Sequence, residues 1–173
     1  MRRGVEQPGS SSGSTREVSS LTIMMSTKLI GDIAEQAVIL QALKQGWGIA
    51  VPVGDRLPYD LVFDVHGTLV KIQVKSAWFS RSSHNYVVDV RRTKTNRRIM
   101  RRSRYQMNDF DFAIVYAEKA NVFYVIPIEV FVSYGSEIHF VETDKRQRKP
   151  RSVEYREAWM LISQWATQRE TSA

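Results

Sequence analysis

The sequence predicts an α/β domain in which helices flank a mixed β-sheet, and three observations carry that expectation. A run with helical apolar spacing spans Lys28–Gln45, a series of short alternating or wholly apolar runs follows, and a second helical stripe closes the chain between Ser152 and Thr167. With 173 residues, 43% of them hydrophobic, the chain is long enough to bury one ordinary core.

In the first helix Ile30, Ile33, Ala34, Ala37 and Val38 share a face, and Gly46 supplies the stop. Trp47–Val53 reads as a short strand, Gly54–Pro58 as a loop and Tyr59–Val65 as a second strand. Alternation puts Tyr59, Leu61, Phe63 and Val65 on one face and Asp60, Val62 and Asp64 on the other. His66-Gly67 is a two-residue turn into a third strand, Thr68–Ser76, where Val70, Ile72 and Val74 oppose Lys71, Gln73 and Lys75. Further strands are expected at Tyr86–Arg91, Phe110–Ala117, Asn121–Ile126 and Glu137–Val141. The closing helix is expected to open at Ser152 and to bury Ala158, Leu161, Ile162 and Trp165.

Composition narrows the function classes. The chain has no cysteine, which excludes disulfide scaffolds, thiolate metal sites and cysteine nucleophiles. The apolar run Leu21–Met25 is too short for a signal-peptide core or a membrane span, so an intracellular, cytoplasmic protein without membrane partners is expected. Residues 1–25, with six serines and little apolar periodicity, are expected to be disordered or a non-native extension, with Met25 as the natural start and 26–173 as a single domain. Net charge is +7, yet residues 91–104 alone hold eight cations and no acid, leaving −1 for the rest of the chain. The basicity is a patch, and a patch of this density calls for a polyanion.

The hairpin turn sets the chemistry. Pairing Val65 with Thr68 and counting back places Asp60 opposite Gln73, so a carboxylate and an amide carbonyl face one point and could share a cation. Lys75, two residues on, lies on the same face, beside such an ion rather than on it. Glu35 enters from the first helix, where Gly31, Val38, Ile39 and Ala42 surround it at helical spacing without a charged companion. An isolated Gln-x-Lys is ordinarily a solvated strand face; the coincidence with Asp60 and Glu35 points to a site.

Those residues carry a family resemblance. Pro58-Tyr59-Asp60 followed by Gln73-Val74-Lys75, with Glu35 in the helix ahead, resembles the PD-(D/E)XK nuclease superfamily and its restriction-endonuclease-like core. The order Glu35, Val51-Pro52-Val53-Gly54-Asp55, Tyr59-Asp60-Leu61, Gln73-Val74-Lys75 is similar to the branch containing group I intron-encoded homing endonucleases. The resemblance implies that Asp60, Gln73 and the backbone carbonyl of Val74 bind Mg²⁺ or Mn²⁺, that Glu35 supports the metal and that Lys75 is catalytic. Gln73 departs from the usual acidic residue. Double-stranded DNA is the implied partner, and a double-strand break implies a homodimer or homotetramer.

DNA contacts are expected from Arg81 and His84, in the link between two strands, and from Arg91, Arg92, Lys94, Arg97, Arg98, Arg101, Arg102 and Arg104. Lys145–Arg151 forms a second basic cluster. The competing readings are a restriction- or repair-type nuclease such as a junction resolvase, and a non-catalytic DNA-binding protein on a decayed nuclease fold.

Overall fold

The computed structural model describes residues 26–96, 99–142 and 150–171, and for 93–96 and 99–101 the backbone alone. Segment 1–25, Arg97, Arg98, the side chains of Lys94 and Arg101, and the basic residues 145–149 therefore lie outside the described residues.

Helix α1 (Thr27–Lys44) starts where Ser26 Oγ accepts the Leu29 N–H at 3.2 Å, and it buries Ala34, Val38 and Ala42. Gly46, at φ +79°, takes the left-handed position that lets the chain reverse into Trp47. Strands β1 (Gly48–Ala50), β2 (Leu61–Val65) and β3 (Thr68–Ser76) follow as an antiparallel meander. His66 and Gly67 both adopt positive φ, the conformation a two-residue hairpin turn requires, and Val65 pairs with Thr68 as expected.

The next strands, β4 (Trp78–Ser80) and β5 (Asn85–Asp89), pair with each other, and β6 (Arg92–Asn96) and β7 (Ile99–Ser103) form a hairpin from the basic segment. Strand β8 (Phe112–Ala117) then enters parallel to β3, and β9 (Val122–Pro127) returns beside it. Helix α2 (Ile128–Ser133), strand β10 (Glu137–Phe140) and helix α3 (Met160–Glu170) complete the chain. The main sheet has the order β1-β2-β3-β8-β9, and β10-β5-β4 form a smaller one.

Two apolar layers sandwich the main sheet. On one side α1 and α3 cover Leu61, Phe63, Val70, Ile72, Val74, Phe112 and Ile114; on the other, α2 and the smaller sheet cover Ala113, Val115, Tyr124 and Ile126. Strands β8 and β9 are buried on both faces, which is why they read as unbroken apolar runs.

Three expectations need correction. The closing helix starts at Met160, not Ser152, because the intervening chain is tied to β9: Arg156 bridges Tyr124, and the Glu157 N–H donates to Phe123 O at 2.8 Å. Glu157 sits at φ 52°, which no continuing helix tolerates, and its carboxylate accepts the Phe123 N–H and Trp159 Nε1–H. Strand β5 ends at Asp89 rather than Arg91, because the Asp89 carboxylate captures the Arg91 N–H. Strand β1 is three residues long and does not reach Val53.

Candidate active site

Asp60 sits one residue before β2, and its N–H still donates to Ile72 O at 2.9 Å, so the ladder carries it opposite Gln73. Asp60 Oδ2 accepts the Val74 N–H at 2.8 Å and a hydrogen bond from Gln73 Nε2, and that same amide nitrogen donates to Val74 O at 3.0 Å. Two oxygens thus converge on the Gln73 amide. Gln73 is only 8% exposed, an unusual place for a polar strand residue unless its partners are fixed.

Lys75 projects from the same face. Its Nζ donates to Arg91 O at 3.0 Å and lies 5.2 Å from the centroid of the Tyr105 ring. Burial holds its pKa below the usual lysine value, although Asp60 and Asp89 pull it back up. Burial likewise raises the Asp60 carboxyl above the ordinary range, outweighing the Val74 N–H, Lys75, Arg92 and Gln73, which lower it. The Glu35 pKa is raised too, first by burial and then by repulsion from Asp60 and Asp32. Glu35 therefore does have charged neighbours, but they are acids: Asp32, one helical turn earlier, adds to the field of Asp60.

These raised carboxyls around one point are what a cation would relieve. Among the described residues no three His, Asp or Glu side chains converge, so a metal here needs the amide and main-chain oxygens as well. Turning the Gln73 amide over exchanges Nε2 for Oε1 at the point that Asp60 Oδ2 and Val74 O already face. The resulting donor set is oxygen throughout and fits a hard divalent cation.

The DNA-contact candidates divide. Arg91 Nε and Nη2 clasp Asp89 at 2.9 and 3.0 Å, and Arg102 Nη1 lies 3.8 Å from the same carboxylate. The eight cations do not simply repel one another, since Asp89, just ahead of the run, engages two of them. Arg92 Nη2 donates to the carbonyls of Arg56 and Leu57 at 3.1 and 2.6 Å, tying the base of the β6–β7 hairpin to the loop before Asp60. Arg104 is exposed, as are Arg81 and His84 in the turn between β4 and β5, and none of the three bonds to the four-residue site. Sequence reasoning missed Asp89 and Tyr105: Tyr105 meets Lys75 from a segment thirty residues on, and Asp89 bears on Lys75 only through Arg91, whose carbonyl the packing brings to the lysine.

No described helix is long and apolar enough to cross a membrane. The sequence model of a family described as PD-(D/E)XK endonuclease matches residues 25–162. The fold is similar to the solved structure of a bacterial homing endonuclease, I-Ssp6803I, with a TM-score of 0.80 and 64% identity, covering 84% of this chain and 99% of that one. No curated protein sequence matches. A β-hairpin carrying Asp60, Gln73 and Lys75, a helical glutamate beside it and a family match over most of the chain lead to one conclusion: this chain belongs to the PD-(D/E)XK endonuclease family, nucleases that use divalent metal ions.

Proposed function

We propose that this endonuclease is of the homing type, making a site-specific double-strand break in duplex DNA by Mg²⁺-dependent phosphodiester hydrolysis. The observation that carries this reading is the convergence of Asp60 Oδ2 and Val74 O on the Gln73 amide, with Lys75 on the same face and Glu35 close enough to feel Asp60. The relative with 64% identity is described as a homing endonuclease, which supports the choice within the family.

In this reading Asp60, Gln73 Oε1 and Val74 O would hold the cation, and Glu35 would support it. When bound, the ion supplies a water of lowered pKa and a Lewis acid for the phosphoryl oxygens. Lys75 has one donor committed to Arg91 O and keeps two, enough to orient the attacking water and to meet charge developing on a non-bridging oxygen. The water oxygen bonds to phosphorus as the bond to the leaving strand's oxygen breaks; the proton the water gives up passes to solvent, and the leaving oxygen takes one from it. Burial of Lys75 against Tyr105 restricts its rotamers before substrate arrives.

The segment 91–104, together with Arg81 and His84, grips the backbone, and residues 26–173 act as one catalytic domain. A single site cuts one strand, so the working form is a homodimer or homotetramer. The test is incubation of the purified protein with a library of duplexes, with Mg²⁺, with Mn²⁺ and with chelator. Cleavage at a defined sequence that requires the metal is expected; absence of cleavage of every duplex would refute the reading and leave a non-catalytic DNA-binding protein, for which Gln73 is the motivating residue.

A further inference from the structure

We propose that Asp89 is a positioning residue that joins the basic hairpin to the active site: it holds in place Arg91, the residue whose carbonyl orients Lys75, and it keeps two arginines from the DNA. The inference rests on the nuclease reading above and concerns a residue outside the family motif.

The contacts form a chain. Asp89 Oδ1 accepts both the Arg91 N–H, at 2.8 Å, and Arg91 Nε–H, at 2.9 Å, while Oδ2 accepts Nη2–H at 3.0 Å. A carboxylate that bonds the main-chain N–H two residues on makes an Asx-type turn, and here the turn is closed a second time by the side chain of the same residue. Arg91 is thereby held at its N–H and at its side chain, which restrains the Cα that carries the next peptide unit. Its carbonyl is the acceptor for Lys75 Nζ at 3.0 Å, the one hydrogen bond seen for that lysine among the described residues. One residue later Arg92 grips the carbonyls of Arg56 and Leu57, so the hairpin root is anchored to both sides of the site.

Charge gives the second role. Asp89 is the acid bonded to Arg91 and beside Arg102, with Glu137 adding to the field at Arg91, and burial of its carboxyl is outweighed by the Arg91 guanidinium, the Arg91 N–H and Arg102, so that its pKa stays below the usual range. The Arg91 and Asp89 side chains remain 30% and 21% exposed, and Arg91 lines a cavity of about 170 Å³ beside Arg104 and Tyr134, so a phosphate can reach the fork. Asp89 therefore competes with DNA for two cations while it holds the lysine. A residue that only stabilised the fold would, when changed, weaken binding and cleavage together. A residue with these two roles separates them.

The experiment compares Asp89→Asn and Asp89→Glu in the full chain, measuring binding to a short duplex without metal across salt concentrations and single-turnover cleavage with Mg²⁺. Asp89→Asn removes the charge and the bond to Nη2: its amide oxygen can replace Oδ1 toward the Arg91 N–H and Nε–H, but its amide nitrogen cannot accept and turns its own hydrogens toward the guanidinium. This variant should bind more tightly, with a salt slope steeper by about 0.9 for each freed arginine that meets a phosphate, yet cleave roughly 10- to 100-fold more slowly at saturation. Asp89→Glu keeps the charge on a longer arm, so its slope should match the parent while cleavage slows. Parental cleavage by Asp89→Asn, or weaker binding with an unchanged slope, would overturn the inference; so would a steeper slope in Asp89→Glu. If Asp89→Asn does not fold, the Glu variant decides alone: slower cleavage at parental slope supports the assignment and parental cleavage ends it. A parent protein that cuts no duplex refutes the nuclease reading, and the binding arm still tests the competition between Asp89 and DNA.

Discussion

The two faces of β3 are one residue out of phase and could hardly differ more. Val70, Ile72 and Val74 enter the layer beneath α1 and α3, where Ile72 is fully buried among Leu61, Phe63 and Phe112. Lys71, Gln73 and Lys75 turn the other way; Gln73 is buried and Lys75 half-buried, but against a carboxylate, two main-chain carbonyls and the ring of Tyr105. One face gains stability from removing apolar area from water, the other spends some of it to hold charged groups where water is scarce. A single strand thus carries a face packed in the apolar core and, one residue out of phase, the face that bears the proposed active site.

The largest way to test that division is on the polar face. Lys75→Ala and Asp60→Ala should each lower cleavage by about 10³-fold or more, equivalent to about 4 kcal/mol of transition-state stabilisation, while duplex binding and the circular dichroism spectrum stay close to the parent. Retained cleavage in both variants would remove the site from this face. On the apolar face, Ile72→Ala should cost about 2–5 kcal/mol of stability in denaturant unfolding and leave the cleavage rate per folded molecule unchanged.

Gln73 lies between these extremes. Gln73→Glu exchanges a donor for a carboxylate that faces Asp60 and the Val74 carbonyl, so the metal-free protein should lose about 1–3 kcal/mol, recovered when Mg²⁺ is added. A thermal midpoint that ignores Mg²⁺ in this variant would count against the oxygen cluster as a metal site. The smallest effect is expected at Glu35. Its pKa is raised in the folded state by burial and by Asp60 and Asp32, so folding favours its protonated form; the stability that form contributes is present at low pH and lost as pH rises through the raised value. Glu35→Gln mimics the protonated form, and its midpoint should exceed the parent's by a few degrees near neutral pH, with no gain well below about pH 4. Cleavage should fall in the same variant, the usual exchange between stability and activity at a site.

Much of this was legible because short-range geometry encodes it. The His66-Gly67 turn admits one register, and that register alone put Asp60 across from Gln73 and Lys75 on the same face. The spacing of Ala34 and Val38 gave the face of α1 that meets the sheet, and with it the side from which Glu35 enters. The helix start at Ser152 was misread because its capping signal is local, whereas the contacts that delay the helix to Met160 come from β9, some thirty residues earlier in the chain.

What the sequence determined by itself is the alternation along β2 and β3, the turn between them and a dense basic segment: patterns set by periods of two and 3.6 residues and by charge counts. Only the tertiary structure decided that Arg91 lends its carbonyl to Lys75, that Arg92 reaches back to the loop before Asp60, and that Asp89 engages two of the arginines. The Asp89–Arg91 turn is local, but the contacts of Arg91 O with Lys75, of Arg92 with the loop before Asp60 and of Arg102 with Asp89 join segments distant in the chain, a relation that no local periodicity records.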